Sequence, residues 1–149
     1  MSPPPVSAMP TFYVAEPPAQ YLVRPAMVID CSALAGIVFQ EPWQDEALQR
    51  ISGRTLHAPS LLSFEITSVA VKKLRRGEAH AADGLEQAVG MDVELHDINL
   101  QQVCELALRY QLSAYDAAYL WLAAELKAPL ATFDEKLATA AQAHLSSLP

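Results

Sequence analysis

The sequence predicts one α/β domain built on a mainly parallel sheet. Short apolar runs alternate along the chain with longer segments of helical periodicity, which is the pattern of parallel strands joined by helices. The 149 residues, 52% of them hydrophobic, suffice for one complete core but are few for two domains. The sequence has no internal repeat that would divide it further.

The pattern begins with the apolar run 27–29, which predicts a short buried strand. Residues 33–39 have helical spacing, and this helix should stop near Pro42 because a proline disfavours the helical conformation in the residue before it. Residues 43–51 are amphipathic and predict a second helix, and residues 55–58 predict the next strand.

A long helix is predicted over residues 59–76, where apolar side chains recur at helical spacing until Gly77. A weaker helical pattern covers residues 79–89. Residues 93–95 predict a strand, and residues 100–110 are strongly helical.

Ser113 and Asp116 have the spacing of a capping box, in which side chains satisfy free backbone groups at the start of a helix. The motif predicts a helix over residues 113–126. A short strand at residues 129–132 and a last helix at residues 135–143 follow, so strands and helices alternate to the end of the pattern.

Residues 1–25 are predicted to be a proline-rich extension, and residues 26–149 the domain itself. Seven of the eleven prolines lie in the extension, which excludes a long helix or a central strand. The run Thr11–Val14 is compatible with an edge strand, but a mostly irregular tail is the favoured interpretation.

Composition narrows the setting of the protein. Two cysteines are too few for a disulfide framework, and both lie in apolar segments where a free thiol packs as a small hydrophobe, so we expect a reducing, cytoplasmic environment. The N-terminus lacks the features of a secretory signal, and no apolar stretch is long enough for a membrane helix.

A net charge of -7 disfavours nonspecific binding to nucleic acid. The acidic chain nevertheless contains one cluster of basic residues: Lys72, Lys73, Arg75 and Arg76.

Four carboxylates interrupt apolar stretches, where a charge is costly unless it is paired or holds a metal ion. They are Asp30, Glu65, Asp116 and Asp134. Asp30 and Asp134 follow predicted strands, and ligands bind at the carboxyl ends of the strands in an open parallel sheet. The helices that carry Glu65 and Asp116 can approach the same edge, so we expect one shared acidic site.

Carboxylates brought together repel one another, which raises the pKa of some of them unless cations compensate. Mg²⁺ and Mn²⁺ prefer such hard oxygen ligands, and a pair of these ions can activate water and stabilise the leaving oxygen in phosphodiester cleavage. Ser32 and Thr132 each lie two residues from an aspartate and could orient the site or only cap the local backbone. The four histidines have no metal-ligand spacing.

Each acid also has a purely structural interpretation. Asp116 could only cap its helix, and Asp30 and Asp134 could end strands by bonding to nearby backbone. A buried Glu65 needs a compensating partner, such as Lys72 or a more distant arginine. Cys31 is expected to be packed and not nucleophilic, because no histidine lies near it in the sequence.

Four motifs, in this order, resemble those of the PIN-domain family, and the closest resemblance is to VapC-type toxin ribonucleases. The motifs are residues 28–32, 59–65, 113–119 and 131–134. The resemblance covers about residues 26–143. It implies a three-layer α/β/α sandwich with metal-dependent endoribonuclease activity.

The resemblance assigns roles to particular residues. Asp30, Glu65, Asp116 and Asp134 match the family's acidic quartet, which binds the metal and catalyses, and Ser32 and Thr132 match its supporting hydroxyls. It also implies Mg²⁺ or Mn²⁺ as cofactor, RNA as substrate, a homodimer, and a small antitoxin as a further partner. The chain departs from the family pattern in its proline-rich extension, its acidic charge and the few residues after the last helix, where we expect the family's final strand to be truncated or absent.

The leading hypothesis is a metal-dependent RNA hydrolase. The basic run Lys72–Arg76 would hold the RNA backbone or, alternatively, serve only as a solvated helix end. A PIN-like binding module with little nuclease activity is the alternative from another class. A receiver or phosphatase domain is the second enzymatic alternative, although the sequence has no convincing phosphate-cradling glycine loop.

Overall fold

The computed structural model describes residues 9–18 and 26–149. The strands in this part of the chain are β1 (Tyr13–Ala15), β2 (Ala26–Ile29), β3 (Thr55–Pro59), β4 (Val93–His96) and β5 (Leu130–Thr132). The helices are α1 (Cys31–Val38), α2 (Gln44–Ile51), α3 (Leu62–Arg75), α4 (Ala81–Gly90), α5 (Leu100–Tyr110), α6 (Ala114–Leu126) and α7 (Glu135–Ser146).

The strands form one sheet in the order β1-β5-β2-β3-β4. The pairs β5-β2, β2-β3 and β3-β4 are parallel, whereas β1 runs antiparallel to β5. Met27, Val28 and Ile29 in the central strand are at most 1% exposed. A parallel strand covered on both faces is expected to read as a continuous apolar run, which is the pattern that predicted it.

Helices cover the sheet and complete an α/β sandwich, as predicted. Helices α1, α3 and α4 pack against one another, while α6 lies over β2, β3 and β5 and packs against α5 and α7. The core between these elements is continuous, and its largest fully buried side chains include Ile37 of α1, Tyr119 of α6 and Leu137 of α7. The fold thereby brings the carboxyl ends of β2, β3 and β5 to one edge of the sheet.

The elements predicted from residue 26 onward are all present, with small shifts at their ends. Helix α3 begins at Leu62 and not at Pro59, because Pro59 still belongs to β3, where it lies opposite His96 of β4. Helix α7 continues three residues past the predicted end at Ala143. Element ends are less constrained than element centres, since the first and last turns depend on local caps.

The favoured interpretation of the N-terminal extension as an irregular tail is wrong for Tyr13–Ala15, which form the edge strand β1. Phe12 and Ala15 are buried, and the Phe12 ring centroid lies 4.5 Å from that of Phe133. Apolar side chains therefore hold this segment against the open edge of β5. The role of the rest of residues 1–25 stays open, since residues 1–8 and 19–25 lie outside the described part.

Residues 147–149, which follow α7, are not part of the sheet. The edge of β5 is covered by β1 from the other end of the chain. Within residues 9–18 and 26–149, none of the helices has the length and apolar content needed to cross a membrane.

The two cysteines are free, and they differ in their surroundings. Cys31 is partly buried beside the core, as expected. Cys104 is exposed, which contradicts the expectation that it would be packed. The buried face of α5 is formed by Val103 and Leu106, so a residue one position after Val103 points away from the core.

Candidate active site

The four predicted acids all lie at the start of a helix. Asp30 directly follows β2 and is the N-cap of α1, and Asp134 follows β5 and is the N-cap of α7. Glu65 and Asp116 lie in the first turns of α3 and α6. Helix N-termini carry partial positive charge, which offsets part of the cost of burying a carboxylate there.

Asp30 is the most buried of the four, with 4% of its surface exposed. Its Oδ1 accepts hydrogen bonds from the Ser32 hydroxyl at 2.7 Å and from the Ala33 backbone N–H at 2.9 Å. Burial raises the pKa of Asp30 to about 6, although the hydrogen bonds from Thr132, Ala33 and Ser32 work in the opposite direction. The carboxyl is therefore fixed in orientation and costly to ionise.

Thr132 and Ser32 join the ends of β2 and β5 through Asp30. The Thr132 hydroxyl donates to Asp30 Oδ2 at 2.5 Å, and its oxygen accepts from the Asp134 N–H at 2.9 Å. The Ser32 oxygen accepts from the Phe133 N–H at 2.9 Å. Both hydroxyls thus contact the buried carboxylate directly, and they also bond to backbone.

Glu65 is half-buried, and its partner is Tyr119, which sequence reasoning missed. The Tyr119 hydroxyl donates to Glu65 Oε1 at 2.6 Å. Burial raises the pKa of Glu65; the Tyr119 hydrogen bond opposes this shift and the charge of Asp116 adds to it. Tyr119 is 1% exposed, and a tyrosine so deep in the core needs an acceptor for its hydroxyl, which is the feature that could have identified the pair.

Asp116 interacts electrostatically with each of the other three acids. Its backbone N–H donates to the Ser113 hydroxyl at 3.1 Å, so the predicted cap is present. Burial raises the pKa of Asp116 and the negative charge of Asp134 raises it further, while Asp116 in turn raises the pKa of Asp30 and of Glu65. The carboxylate therefore lies within electrostatic reach of all three other acids, while the backbone N–H of Asp116 is bound by Ser113, the N-cap of α6.

Asp134 is exposed, unlike the other three. Its Oδ1 accepts from the Leu137 N–H at 3.0 Å, which is the capping contact that a structural interpretation predicts. The fold nevertheless keeps it at the site, because its own N–H is bonded to the Thr132 hydroxyl that also holds Asp30. Asp134 forms the solvent-facing rim of the acidic site.

The donor set fits a hydrated hard cation. In the described part of the chain no three of the four acids bring carboxylate oxygens within 4.8 Å of one another, and none of the four has a Lys, Arg or His partner within 4.0 Å. Mg²⁺ commonly keeps several water ligands and binds through one or two carboxylates, so such spacing is compatible with it. Mutually repelling carboxylates without a paired base favour binding of a divalent ion.

The basic cluster does not form one surface. Lys72 lines a groove of about 340 Å³ beside Glu65. Lys73 lies 3.3 Å from Glu41 and 3.5 Å from Glu78, on another side of α3. Arg76 also pairs with Glu78, at 2.9 Å. Successive helical residues point about 100° apart, so neighbours in sequence serve different surfaces.

Cys31 lies next to Asp30 and lines the same groove as Glu65. Burial raises the pKa of its thiol to about 12, and the negative charges of Glu65 and Asp30 contribute to the increase. The thiol is protonated at neutral pH and is a poor nucleophile. This agrees with the expectation that Cys31 is packed.

Comparisons with known proteins match this architecture. The family model described as PIN domain matches residues 27–143. Ribonuclease VapC3 of Pyrobaculum aerophilum is 31% identical over 120 residues, which are 75% of this chain and 92% of that protein. Ribonuclease VapC9 of Mycobacterium tuberculosis is 32% identical over 122 residues, covering 78% of this chain and 92% of the relative. The crystal structure of PAE2754 from Pyrobaculum aerophilum superposes with a TM-score of 0.62 at 23% identity, over 77% of this chain and 78% of that one, which supports the fold.

Proposed function

This chain belongs to the PIN-domain family, with VapC ribonucleases among its relatives, and on that premise we propose that it is a metal-dependent endoribonuclease. One observation carries the proposal: Asp30 and Asp134 follow the neighbouring parallel strands β2 and β5, and Asp116 lies close enough to interact electrostatically with Asp30, Glu65 and Asp134. A divalent cation bound at this site would reduce the electrostatic repulsion among the four carboxylates. A divalent ion bound there can support phosphodiester hydrolysis, because it activates water and stabilises the leaving oxygen.

In this proposal Asp30, Glu65, Asp116 and Asp134 hold Mg²⁺ or Mn²⁺. The ion would supply Lewis-acid stabilisation of charge on the phosphate and would activate water. The hydroxyls of Ser32 and Thr132 keep the Asp30 carboxylate in one orientation, so it needs no reorganisation when the ion binds. These contacts support the role predicted for Ser32 and Thr132.

The groove beside Glu65 is the proposed contact surface for RNA. Phe64 and Tyr115 line it with 84% and 61% of their surfaces exposed, and Lys72 contributes the cation. Aromatic faces bind unpaired bases by stacking, and a lysine binds phosphate. This favours single-stranded or looped RNA. Arg75, also exposed at the end of α3, remains a weaker candidate for the backbone.

The resemblance to VapC proteins extends the proposal to partners and setting. We propose a homodimer, a small antitoxin as partner, and a cytoplasmic location, which the two free cysteines support. Light scattering after size-exclusion chromatography tests the first part, because one chain has a mass of 16.2 kDa. A particle of that single mass at all concentrations would contradict the dimer.

The nuclease proposal is tested by cleavage of a panel of structured and unstructured RNAs with Mg²⁺, with Mn²⁺ or with a chelator. We expect cleavage only with metal, and a loss of at least about 100-fold in Asp30→Asn and in Asp116→Asn, because even residues that only orient metal ligands cost 10–100-fold when removed. Asp92→Asn, an exposed aspartate outside the site, removes the same charge and should keep full activity. Equal cleavage by all four proteins, or cleavage in chelator, would refute the mechanism and favour the binding-module alternative.

The RNA groove is tested separately with a short unstructured RNA. Phe64→Ala should raise KM by about 5- to 150-fold with little change in kcat, because stacking on one base contributes about 1–3 kcal/mol. Lys72→Ala should weaken binding and reduce its dependence on salt. Leu108→Ala is the matched control, since Leu108 is 77% exposed on α5. If Leu108→Ala and Phe64→Ala have equal effects, the groove is not the binding surface.

A further inference from the structure

Two histidines and a glutamate meet on the neighbouring strands β3 and β4, apart from the four acids. His57 of β3 lies directly opposite Glu94 of β4 in the parallel register. His96 follows Glu94 by two positions, so it projects from the same face of the strand. The three side chains therefore share one face of the sheet, although 39 positions separate the two histidines in the sequence.

Their metal-ligating atoms converge. His57 Nδ1 lies 2.9 Å from His96 Nε2 and 3.5 Å from Glu94 Oε2. All three residues can offer ligand atoms within 4.8 Å of one another, and no other group of His, Cys, Asp or Glu in the described ranges does so. Each of these atoms carries a lone pair when deprotonated. Three such atoms facing one small volume are stabilised by a shared proton or by a cation.

The spacing matches a tetrahedral transition-metal centre. Zinc binds histidine nitrogen at about 2.0–2.1 Å and carboxylate oxygen at about 2.0–2.2 Å, which places neighbouring ligand atoms roughly 3.3 Å apart. The distances of 2.9 and 3.5 Å fall on either side of this value. The His57 side chain is 13% exposed, while that of Glu94 is 68% exposed and can adjust. The three residues supply three ligands, and a water would be the fourth ligand of a tetrahedral ion.

We propose that His57, Glu94 and His96 bind one Zn²⁺ ion that crosslinks the edge strand β4 to β3. Two imidazoles and one carboxylate are a borderline donor set that favours zinc over Mg²⁺, whereas the four acids offer only hard oxygen donors. The two sites therefore select different ions.

The crosslink has a structural consequence at the end of β4. Among the described residues, this strand is paired on one side only, by β3. The backbone carbonyl of His96 also accepts from the Ser60 N–H at 2.9 Å, just before α3 begins. Zinc bound to the folded state would add a crosslink between β3 and β4 and so raise the melting temperature of the domain.

The test is calorimetric titration of the full chain with ZnCl₂ after chelator treatment and dialysis, in millimolar Mg²⁺ to occupy the acidic site. We expect one zinc per chain and a rise in melting temperature. Affinity should fall by at least about tenfold in Glu94→Gln and in His96→Gln, since direct ligands matter more than the groups that orient them. His80→Gln, an exposed histidine on the loop before α4, is the matched control and should bind as the parent does.

Cobalt provides a second readout, because tetrahedral Co²⁺ absorbs in the visible range and thiolate ligands add an intense charge-transfer band at shorter wavelength. We expect the first absorption in the parent, its loss in Glu94→Gln, and no thiolate band. Absence of saturable binding, equal binding by Glu94→Gln and the parent, or a thiolate band from Cys31 or Cys104 would overturn the proposal. If circular dichroism shows that His96→Gln is unfolded, the exposed Glu94→Gln decides the question.

Discussion

Replacing Asp30 with asparagine should stabilise the metal-free protein at neutral pH while abolishing its proposed activity. The buried carboxylate has its pKa raised to about 6, chiefly by burial. Asparagine has the same shape, still accepts from the Ala33 N–H, and can donate to the Thr132 oxygen after that hydroxyl turns. The substitution therefore removes a buried charge without removing the cap.

The magnitude follows from the difference between the folded and unfolded pKa values. The Asp30 pKa is about 6 in the fold against an ordinary aspartate pKa of 3.8, and this difference corresponds to about 3 kcal/mol. Because the folded state holds the proton more tightly, the parent loses stability as pH rises through this interval, and the loss is complete above it. The variant lacks this loss, so its advantage should be small near pH 4 and about 3 kcal/mol at pH 7. That is an upper value, equivalent to roughly 6–12 °C in melting temperature for a domain of this size.

Urea denaturation at several pH values between 4 and 8, with chelator present, measures the effect. Asp92→Asn controls for the loss of one negative charge, and its stability should follow that of the parent across the range. Glu65 and Asp116 also have raised pKa values, so parent and variant share their part of the decline. If Asp30→Asn is less stable than the parent by a constant amount at every pH, hydrogen bonding outweighs desolvation at this position and the reasoning is refuted.

Three further outcomes are expected. Tyr119→Phe removes the donor to Glu65, which should raise the pKa of Glu65, shift the pH profile of RNA cleavage upward and cost about 1 kcal/mol of unfolding free energy in urea titrations. Gly84→Ala should lower the free energy of unfolding by about 1–3 kcal/mol, because the new Cβ would lie 2.5 Å from the Phe39 ring. A Cβ at Gly90 has open space, so Gly90→Ala should be neutral or stabilising. An equal loss of stability in both variants would contradict the packing argument. Saturating Mg²⁺ should raise the melting temperature of the parent more than that of Asp116→Asn, as measured by calorimetry, and equal shifts would exclude Asp116 from the metal site.

The order of elements could be predicted because local pattern and tertiary environment agree in this fold. The run Met27–Ile29 is apolar at every position since β2 is covered on both faces, and Ser113 caps α6 as its spacing indicated. Strand β1 could not be predicted with the same force. Its three residues acquire their structure from the open edge of β5, a long-range partner that no local window contains.

The positions of the acids could be inferred from topology, but their burial could not. Apolar neighbours in sequence suggested four buried carboxylates, yet Asp134 is exposed while Asp30 is 4% exposed. Flanking residues indicate the helix or strand to which an acid belongs. The burial of its side chain depends on how other elements pack around it. For the same reason the sequence suggests Lys72 as the partner of Glu65, whereas the fold supplies Tyr119 from α6.

For the histidines, the sequence pattern does not reveal the cluster that the fold forms. A search for metal-ligand spacing examines residues a few positions apart, and His57 and His96 are separated by 39. What joins them is the parallel pairing of β3 with β4, which sets His57 opposite Glu94 and leaves His96 one pleat further along. Parallel strands need a long crossover between them, so donors on such strands are always distant in sequence. A site formed by residues of two paired parallel strands therefore cannot be recognised from a local sequence motif. It can be inferred once the register of the two strands is known.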